Sequence, residues 1–398
     1  MKRTPHPKPE NPHSAIFRRY SKPVYALLTA ALVIVSFSII AQTLLAQQVL
    51  VPSQSPKQQS APMNPTSPSS SLLPQAAEAQ APSPTESPTP SPLSEAQAMR
   101  QPMPNTITRK ATLLWKYGTG GHVQRTAVSD PVDSNDDFRI IAGSDDKNIY
   151  VFDASGGLLW QRQLEGKVWG ASVSPDGRYF SAGTEGGNVY FFDGLGNLLW
   201  QNQLSNDAYE TGVSRDGDYV VYGSMNWEDS TYSAYLFNKT GSLQWMRTAK
   251  DACGVAISDD GKSIVVGADN EFVFLYNASG EQVWKYKTGG EVWGVSMSGD
   301  ASLVVAGSSD GYVYALDKSG KLLWKYDTGI SVWEVSVSRD GQYVASSSEE
   351  LVCFLNRNGN LIWQKTMASE TEGIGLSENG DFLALGSYDG YAYFFDTR

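Results

Sequence analysis

The stretch EVWGVSMSGDASLVVAGSSDGYVYALDKSGKLLWKYDTG, from Glu291 to Gly329, decides the fold of this chain. It divides into four short runs, VWGVSMS, SLVVAGS, YVYALD and LLWKYD, which are apolar or alternate in polarity and are bounded by Gly, Asp or Ser. Runs of this length and pattern predict β-strands joined by tight turns. We therefore expect a sheet of four strands, named a to d in chain order.

The same unit recurs through the chain after residue 105. Its tryptophan stands at the third position of strand d and returns every 39 to 45 residues. The seven occurrences are Trp115, Trp160, Trp200, Trp245, Trp284, Trp324 and Trp363. A four-stranded unit at this period predicts the blades of a β-propeller.

The two ends of the repeat region complement each other. Six complete units begin near His122, Lys167, Asp207, Asp251, Glu291 and Ser331. A seventh begins at Glu370 and ends after its strand c, whereas the run ATLLWKY, from Ala111 to Tyr117, is a strand d with no strands a to c before it. The sequence therefore predicts an all-β, seven-bladed propeller over residues 106–398, closed by an N-terminal strand that completes the last blade.

Acidic residues in the repeats occupy turn positions. Strand c ends in Asp or Asn with Gly three residues later, as at Asp317 and Gly320, and Asp-Gly pairs join strands a and b, as at Asp176 and Gly177. These residue types are the ones that tight turns favour. We interpret these carboxylates as turn residues and expect no catalytic residue among them.

An apolar segment precedes the repeats. Residues 24–46 contain no charge and would make a helix of about 35 Å, enough to cross a hydrocarbon core of ~30 Å. Six Lys and Arg residues precede it, so residues 1–23 are expected to be a cytoplasmic basic tail and the repeats to lie outside the membrane. A cleaved signal peptide is the alternative, although no A-x-A site ends the segment. The predicted localisation is a single-pass protein of the cell membrane.

Residues 47–105 differ in composition from the repeats. Of the chain's 20 prolines 13 lie between Pro52 and Asn105, whereas all 37 glycines and all 11 tryptophans follow residue 105. A Pro/Ser/Gln-rich segment of this kind cannot bury enough apolar area to fold. It is expected to be a disordered linker, acting as a plain spacer or as a segment that crosses or docks to peptidoglycan.

The net charge and the histidine content of the repeat region argue against two kinds of site, one for nucleic acid and one that needs two histidines. It carries a net charge of −15, which argues against nucleic acid as a partner because phosphate binding depends on Lys and Arg. Its single histidine is His122, so a site that needs two histidines is excluded within this region.

Three runs indicate a family. YVYALDKSGKLLWKYDTG, YVFDASGGLLW and VYFFDGLGNLLW resemble the tryptophan-docking repeat of PQQ-like, or quinoprotein-type, β-propellers. SVSPDGRYFSAGT, from Ser172 to Thr184, resembles WD-repeat and lactonase-like propellers. The resemblance implies the propeller fold, and it includes an outer-membrane assembly scaffold as well as quinone-dependent dehydrogenases.

The resemblance does not extend to the cofactor. Quinoprotein dehydrogenases place a vicinal disulfide beneath a PQQ quinone and bind calcium, but Cys253 and Cys353 are a hundred residues apart. An insertion with Asp130, Asp133 and Asn135 to Asp137 is acidic but lacks the spacing of a known calcium loop. We therefore expect neither PQQ nor calcium, and no metal site.

One strand position collects aromatic residues. Alignment of the strands a brings Gln124, Trp169, Tyr209, Cys253, Trp293, Trp333 and Glu372 to one equivalent position at the mouth of the axial channel. Together with Glu210, Glu291 and Glu334, and with Trp227 in a second insertion, they form a candidate aromatic and acidic mouth for a carbohydrate, peptide or cationic group. The alternative is that the aromatic residues pack between neighbouring blades.

The leading functional hypothesis is a membrane-anchored extracytoplasmic binding or scaffold module for an envelope protein or a cell-surface polymer. The alternative is an enzyme of the PQQ-dependent dehydrogenase or lactonase type, although the strand starts supply no set of catalytic residues. A sensor that signals inward is the third hypothesis, but about 23 residues before the helix cannot form a signalling domain.

Overall fold

The repeat from Glu291 to Gly329 forms one antiparallel four-stranded sheet in the computed structural model, which describes residues 109–132, 137–226, 231–250 and 252–398. The other repeats do the same, so the described residues form seven such sheets. The predicted seven-bladed all-β propeller is confirmed. The tail, the apolar segment and the linker predicted for residues 1–105 lie outside the described residues, as does Trp227.

Each blade has the strand order a, b, c, d from the axis outward. Blades 1 to 3 comprise β2 (Val123–Val128), β3 (Ile140–Ser144), β4 (Asn148–Phe152) and β5 (Leu158–Gln163), then β6 (Val168–Val173), β7 (Tyr179–Thr184), β8 (Asn188–Asp193) and β9 (Leu198–Gln203), then β10 (Asp207–Val213), β11 (Tyr219–Asn226), β12 (Thr231–Asn238) and β13 (Leu243–Lys250). Blades 4 and 5 comprise β14 (Ala252–Ile257), β15 (Ser263–Ala268), β16 (Phe272–Asn277) and β17 (Gln282–Lys287), then β18 (Val292–Met297), β19 (Leu303–Ser308), β20 (Tyr312–Asp317) and β21 (Leu322–Asp327). Blades 6 and 7 comprise β22 (Glu334–Val337), β23 (Tyr343–Ser348), β24 (Leu351–Asn356) and β25 (Leu361–Thr366), then β26 (Thr371–Leu376), β27 (Phe382–Ser387), β28 (Tyr391–Asp396) and β1 (Thr112–Gly118).

The seventh blade takes its outer strand from the start of the repeat region. β1 pairs antiparallel with β28, with Thr112 opposite Asp396 and Gly118 opposite Tyr391. Arg109, just before β1, donates to the Gly380 carbonyl at 3.1 Å and forms an ion pair with Asp381 at 3.0 Å. The first and last strands of the described chain therefore belong to one sheet.

The strand-d tryptophans join consecutive blades. Trp284, for example, donates its Nε1–H to the Lys318 carbonyl at 3.0 Å and lies against Gly320, whose φ of +82° suits glycine. An added Cβ on Gly320 would stand 2.7 Å from the Trp284 ring. The equivalent bonds, at 2.7–3.3 Å, run from Trp115 to Ala154, Trp160 to Gly194, Trp200 to Lys239, Trp245 to Ala278 and Trp324 to Arg357.

The seventh tryptophan departs from this pattern. The buried Nε1 of Trp363 has no hydrogen-bond partner among the described residues. Blade 7 has no hairpin between its strands c and d, because its strand d is β1, so the turn that receives the other six rings is not formed there. Trp363 instead stacks on Phe354 at a ring distance of 5.0 Å.

The cores lie within and between the blades. Consecutive residues of strands b and c, such as Val304 and Val305, are fully buried on opposite faces of the blade, and they belong to different members of a set of seven apolar clusters. All the side chains of these clusters belong to residues 111–395, so the propeller carries its own core. Over the described ranges, no helix has the length and apolarity needed to span a bilayer.

Candidate functional site

The strands a begin at the face of the ring that carries the d-to-a and b-to-c connections, here called the mouth face. In six blades the strand register shifts at the aligned aromatic position, as between Val168 and Gly170 in blade 2 and between Val292 and Gly294 in blade 5. Such a bulge adds one residue and re-aims its side chain. The residue after the bulge then faces the axis.

The predicted aromatic residues are buried at this face. Trp169 is 5%, Trp293 8% and Trp333 4% exposed, so they do not form an open mouth. Trp169 meets Tyr209 edge-on at 6.3 Å, and Trp293 and Trp333 belong to the apolar cluster against which Tyr209 packs. Their burial supports the packing alternative, because rings held in a core are not available to a ligand without movement. A ligand-binding role for them stays a prediction.

Three of the predicted glutamates meet at the axis around an arginine that the sequence did not single out. Arg125 of blade 1 lies 3.0 Å from Glu334 of blade 6 and 3.4 Å from Glu372 of blade 7. Its guanidinium also lies over the ring of Tyr209 in blade 3, 4.8 Å from the centroid. We call Arg125, Glu210, Glu334 and Glu372 the axial cluster; all four are buried.

Two tyrosines complete the environment of Glu372. Tyr209 donates to Oε1 at 2.6 Å and Tyr388 donates to Oε2 at 2.7 Å. Because Tyr209 belongs to blade 3 and Tyr388 to blade 7, the first of these bonds crosses the channel. Hydrogen bonds from neutral donors to a carboxylate stabilise its charged form.

Burial shifts the pKa values in the axial cluster. Burial raises the pKa of Glu334 to about 7, although Arg125 opposes this shift. Burial, and then the neighbouring charge of Glu334, raise the pKa of Glu210 well above its usual range. Burial alone would lower the pKa of Arg125, but the nearby Glu334 carboxylate and its neighbours outweigh it, so this guanidinium remains charged.

Glu291 and Glu210 differ from the other two glutamates. Glu210 accepts the Val255 amide at 3.3 Å and acts on Arg125 through its charge. Glu291 is half-buried at the start of blade 5, and its backbone carbonyl, rather than its carboxylate, accepts the Ser309 amide at 2.8 Å.

Arg125 was not predicted as a site residue, although Glu210 and Glu334 at the equivalent position of their strands were. The position after the aromatic one holds a charged residue in three blades and glycine in four. Its occupants are Arg125, Gly170, Glu210, Gly254, Gly294, Glu334 and Gly373. One arginine and two glutamates among glycines at a channel-facing position were the available signal.

A second charged layer lies at the opposite end of the axis, at the turns between strands a and b. Arg215 pairs with Asp130 at 2.7 Å and with Asp259 at 2.8 Å, and Arg339 pairs with Asp259 as well. Backbone bonds run between the same turns, for example from Arg215 N to the Asp259 carbonyl at 3.0 Å. This layer therefore links blades 1, 3, 4 and 6.

The acidic insertion of blade 1 contributes to that layer. Asp130 is buried against the two arginines, and Asp137 pairs with Arg139, while Asp133, Asn135 and Asp136 lie outside the described residues. Within the described part of the chain no group of His, Cys, Asp or Glu is arranged to hold a metal ion.

Between the two charged layers lies a cavity of about 140 Å³. Arg125, Glu210 and Glu334 line it from the mouth end and Arg339 from the other end. Drug-sized ligands occupy pockets of roughly 300–1,000 Å³, so this cavity has room for a few water molecules.

Comparison with known proteins identifies one family. A family model described as outer membrane protein assembly factor BamB matches residues 110–229, 145–252 and 230–382. The three matches overlap and together extend over residues 110–382, well over half of the chain. No curated protein matches the sequence.

Proposed function

The chain belongs to the family of the outer membrane protein assembly factor BamB, and we propose that it is a membrane-anchored, extracytoplasmic binding or scaffold module. Its partner is an envelope protein or a cell-surface polymer. The family membership carries this proposal, because the family is named for a factor that takes part in protein assembly. The sequence resemblance to quinoprotein-type propellers is consistent with membership of this family.

The closed axis supports a binding role. The axial cluster and the second charged layer, around Arg215, occupy the two ends of the channel, and the cavity between them is small. A propeller whose axis is filled by its own side chains offers its two faces and its rim to other molecules. We propose that the partner is held on such a surface rather than in the channel.

The first described residue lies on the face of the ring opposite the mouth face. Arg109, at the entry to β1, contacts Gly380 and Asp381 in the turn between strands a and b of blade 7. The described part of the chain therefore begins on the face away from the mouth. We propose that pairing of β1 with β28 closes the ring and that a partner approaches the mouth face, with Trp227 and the surroundings of Trp169, Trp293 and Trp333 as candidate contacts.

An enzyme of the PQQ-dependent dehydrogenase or lactonase type remains the second candidate from the resemblance. The axial site does not fit a quinone cofactor, because the cavity is smaller than such a group and three carboxyls face the mouth end. Quinones of this type carry carboxylates of their own, which like charges repel. We propose that the chain is not an enzyme and uses no PQQ or calcium.

Purification from the native envelope tests the binding role. The tagged full chain is solubilised in mild detergent, and partners that copurify in near-stoichiometric amounts are confirmed by tagging each partner in turn. The binding proposal expects a reciprocal pair. A chain that purifies alone, yet oxidises alcohols or sugars with added quinone or hydrolyses lactones, would reverse the preference. Protease accessibility of the propeller in intact cells tests its extracytoplasmic location.

A further inference from the structure

The axial cluster has the composition of a site for a guanidinium ion. Three carboxyls surround one planar cation, with Glu334 at 3.0 Å and Glu372 at 3.4 Å from its Nη atoms. The Tyr209 ring covers one face of that cation at 4.8 Å. Carboxylates at the edge and an aromatic ring at the face are the two contacts that a guanidinium makes best.

Neighbouring blades leave room for this site. Gly294 stands beside Glu334, and an added Cβ there would come within 2.6 Å of Glu334 Oε1. Gly254 stands beside Glu210, where a Cβ would come within 3.2 Å of Glu210 Oε2. Glycine at these two positions lets long charged side chains lie over the neighbouring strand. The site therefore depends on residues of blades 4 and 5 that do not touch the cation.

The cation in the axial cluster is a side chain of the protein itself. The side chain of Arg125 is 7% exposed, whereas that of the surface residue Arg178 is 76% exposed. Arg125 arises from blade 1 and its partners arise from blades 3, 6 and 7. One side chain therefore joins four of the seven blades across the channel.

We infer that the axial cluster is a guanidinium-binding site whose resident ligand is the chain's own Arg125, and that this internal ligand holds blades 1, 3, 6 and 7 together at the mouth face. The Tyr209 ring over the face of the cation and the carboxylates beside its Nη atoms favour a planar guanidinium over a compact ammonium ion. A small guanidinium compound therefore takes the place of the side chain when the side chain is removed.

Chemical rescue tests this inference on the full chain. Arg125→Ala leaves three buried carboxyls without their cation and lowers the melting temperature by roughly 10 °C. Millimolar methylguanidinium raises the melting temperature of this variant along a saturable curve, as a ligand that binds the folded state does. Methylurea, which has a similar shape but no charge, leaves it unchanged. Arg178→Ala and the unmodified chain respond to neither compound.

Two results overturn the inference. One is a melting temperature of Arg125→Ala equal to that of the unmodified chain. The other is an equal response of the variant to methylguanidinium and to methylurea, which indicates that only volume was missing.

A second pair of variants keeps the test decisive if Arg125→Ala does not fold. The triple variant Arg125→Met, Glu210→Gln, Glu334→Gln removes most of the buried charge. We expect it to fold and not to respond to methylguanidinium. Arg125→Lys keeps the charge without the fork, and it melts below the unmodified chain. A triple variant that still responds, or a lysine variant as stable as the unmodified chain, contradicts a site built for a guanidinium. None of these measurements involves a partner, so they are independent of the proposed function.

Discussion

Arg125 and Glu334 form an ion pair of 3.0 Å that passes over blade 7. Blade 7 has Gly373 at the equivalent position, and a Cβ there would lie 2.5 Å from Arg125 Cα. The Arg125–Glu334 ion pair therefore requires glycine at position 373, because a side chain there would push blade 1 outward.

Gly373→Ala is expected to lower the free energy of unfolding by about 2 kcal/mol, because the clash is with backbone that cannot rotate away. Gly194→Ala is the control: its added Cβ meets nothing closer than 3.4 Å, and it is expected to change stability by less than about 0.5 kcal/mol. Denaturant unfolding monitored by tryptophan fluorescence compares the two. Equal losses would contradict the close approach of blades 7 and 1.

The buried glutamates predict stability that falls as the pH rises. Glu334 has a folded pKa of about 7, above the unfolded value near 4.3, so the folded state holds its proton more tightly. The contribution is full below the unfolded pKa and is lost as the pH rises through about 7, by up to about 1.4 kcal/mol per pH unit. Glu210 acts in the same direction.

Unfolding experiments between pH 5 and pH 8 measure this slope. Glu334→Gln is expected to flatten it, whereas Glu185→Gln, on the exposed b-to-c connection of blade 2, is expected to leave it unchanged. A chain that becomes more stable over this range would contradict the buried position of the glutamates.

The docking tryptophans offer a matched pair. Trp324→Phe removes a hydrogen bond of 2.7 Å to the Arg357 carbonyl, while Trp363→Phe removes an Nε1 that has no partner among the described residues. Both variants lose similar ring volume. We therefore expect Trp324→Phe to cost about 1 kcal/mol more in unfolding free energy. Equal costs would mean that ring packing, rather than the bond, joins the blades.

The mouth-face tryptophans separate packing from ligand binding. Trp333→Ala removes a 4%-exposed ring from an apolar cluster and is expected to destabilise the chain by about 3–5 kcal/mol. Calorimetry of the full chain measures this cost. A variant that keeps the melting temperature but loses its partner would instead establish the binding role that the sequence suggested.

The blades were predictable because each repeat carries its own local signals. The Asp317 to Gly320 turn and the alternation in YVYALD depend on neighbours in sequence, and they indicate the same strand boundaries in the six complete copies. Because the pattern repeats, the number of blades could be counted from the sequence.

The axial site was only partly predictable, because its contacts join residues far apart in the chain. Tyr209 and Glu372 are bonded across 163 positions, and no local pattern indicates that pair. In six of the seven blades, the bulge in strand a also moved the channel-facing position one residue beyond the aligned aromatic position. Glu210, Glu334 and Glu372 were recognised as candidates, while their cation Arg125 was not. For the three buried tryptophans the sequence left both ligand binding and packing between blades open.

Site-specific photo-crosslinking in intact cells tests the proposed binding role most directly. A photoreactive residue replaces exposed Glu350 on the mouth face or exposed Lys318 on the opposite face, and the crosslinked products of the full chain are identified by mass spectrometry. A binding module that holds its partner at the mouth face predicts one partner captured in high yield from Glu350 and not from Lys318. Equal, diffuse capture at both positions, with no partner enriched, would contradict it.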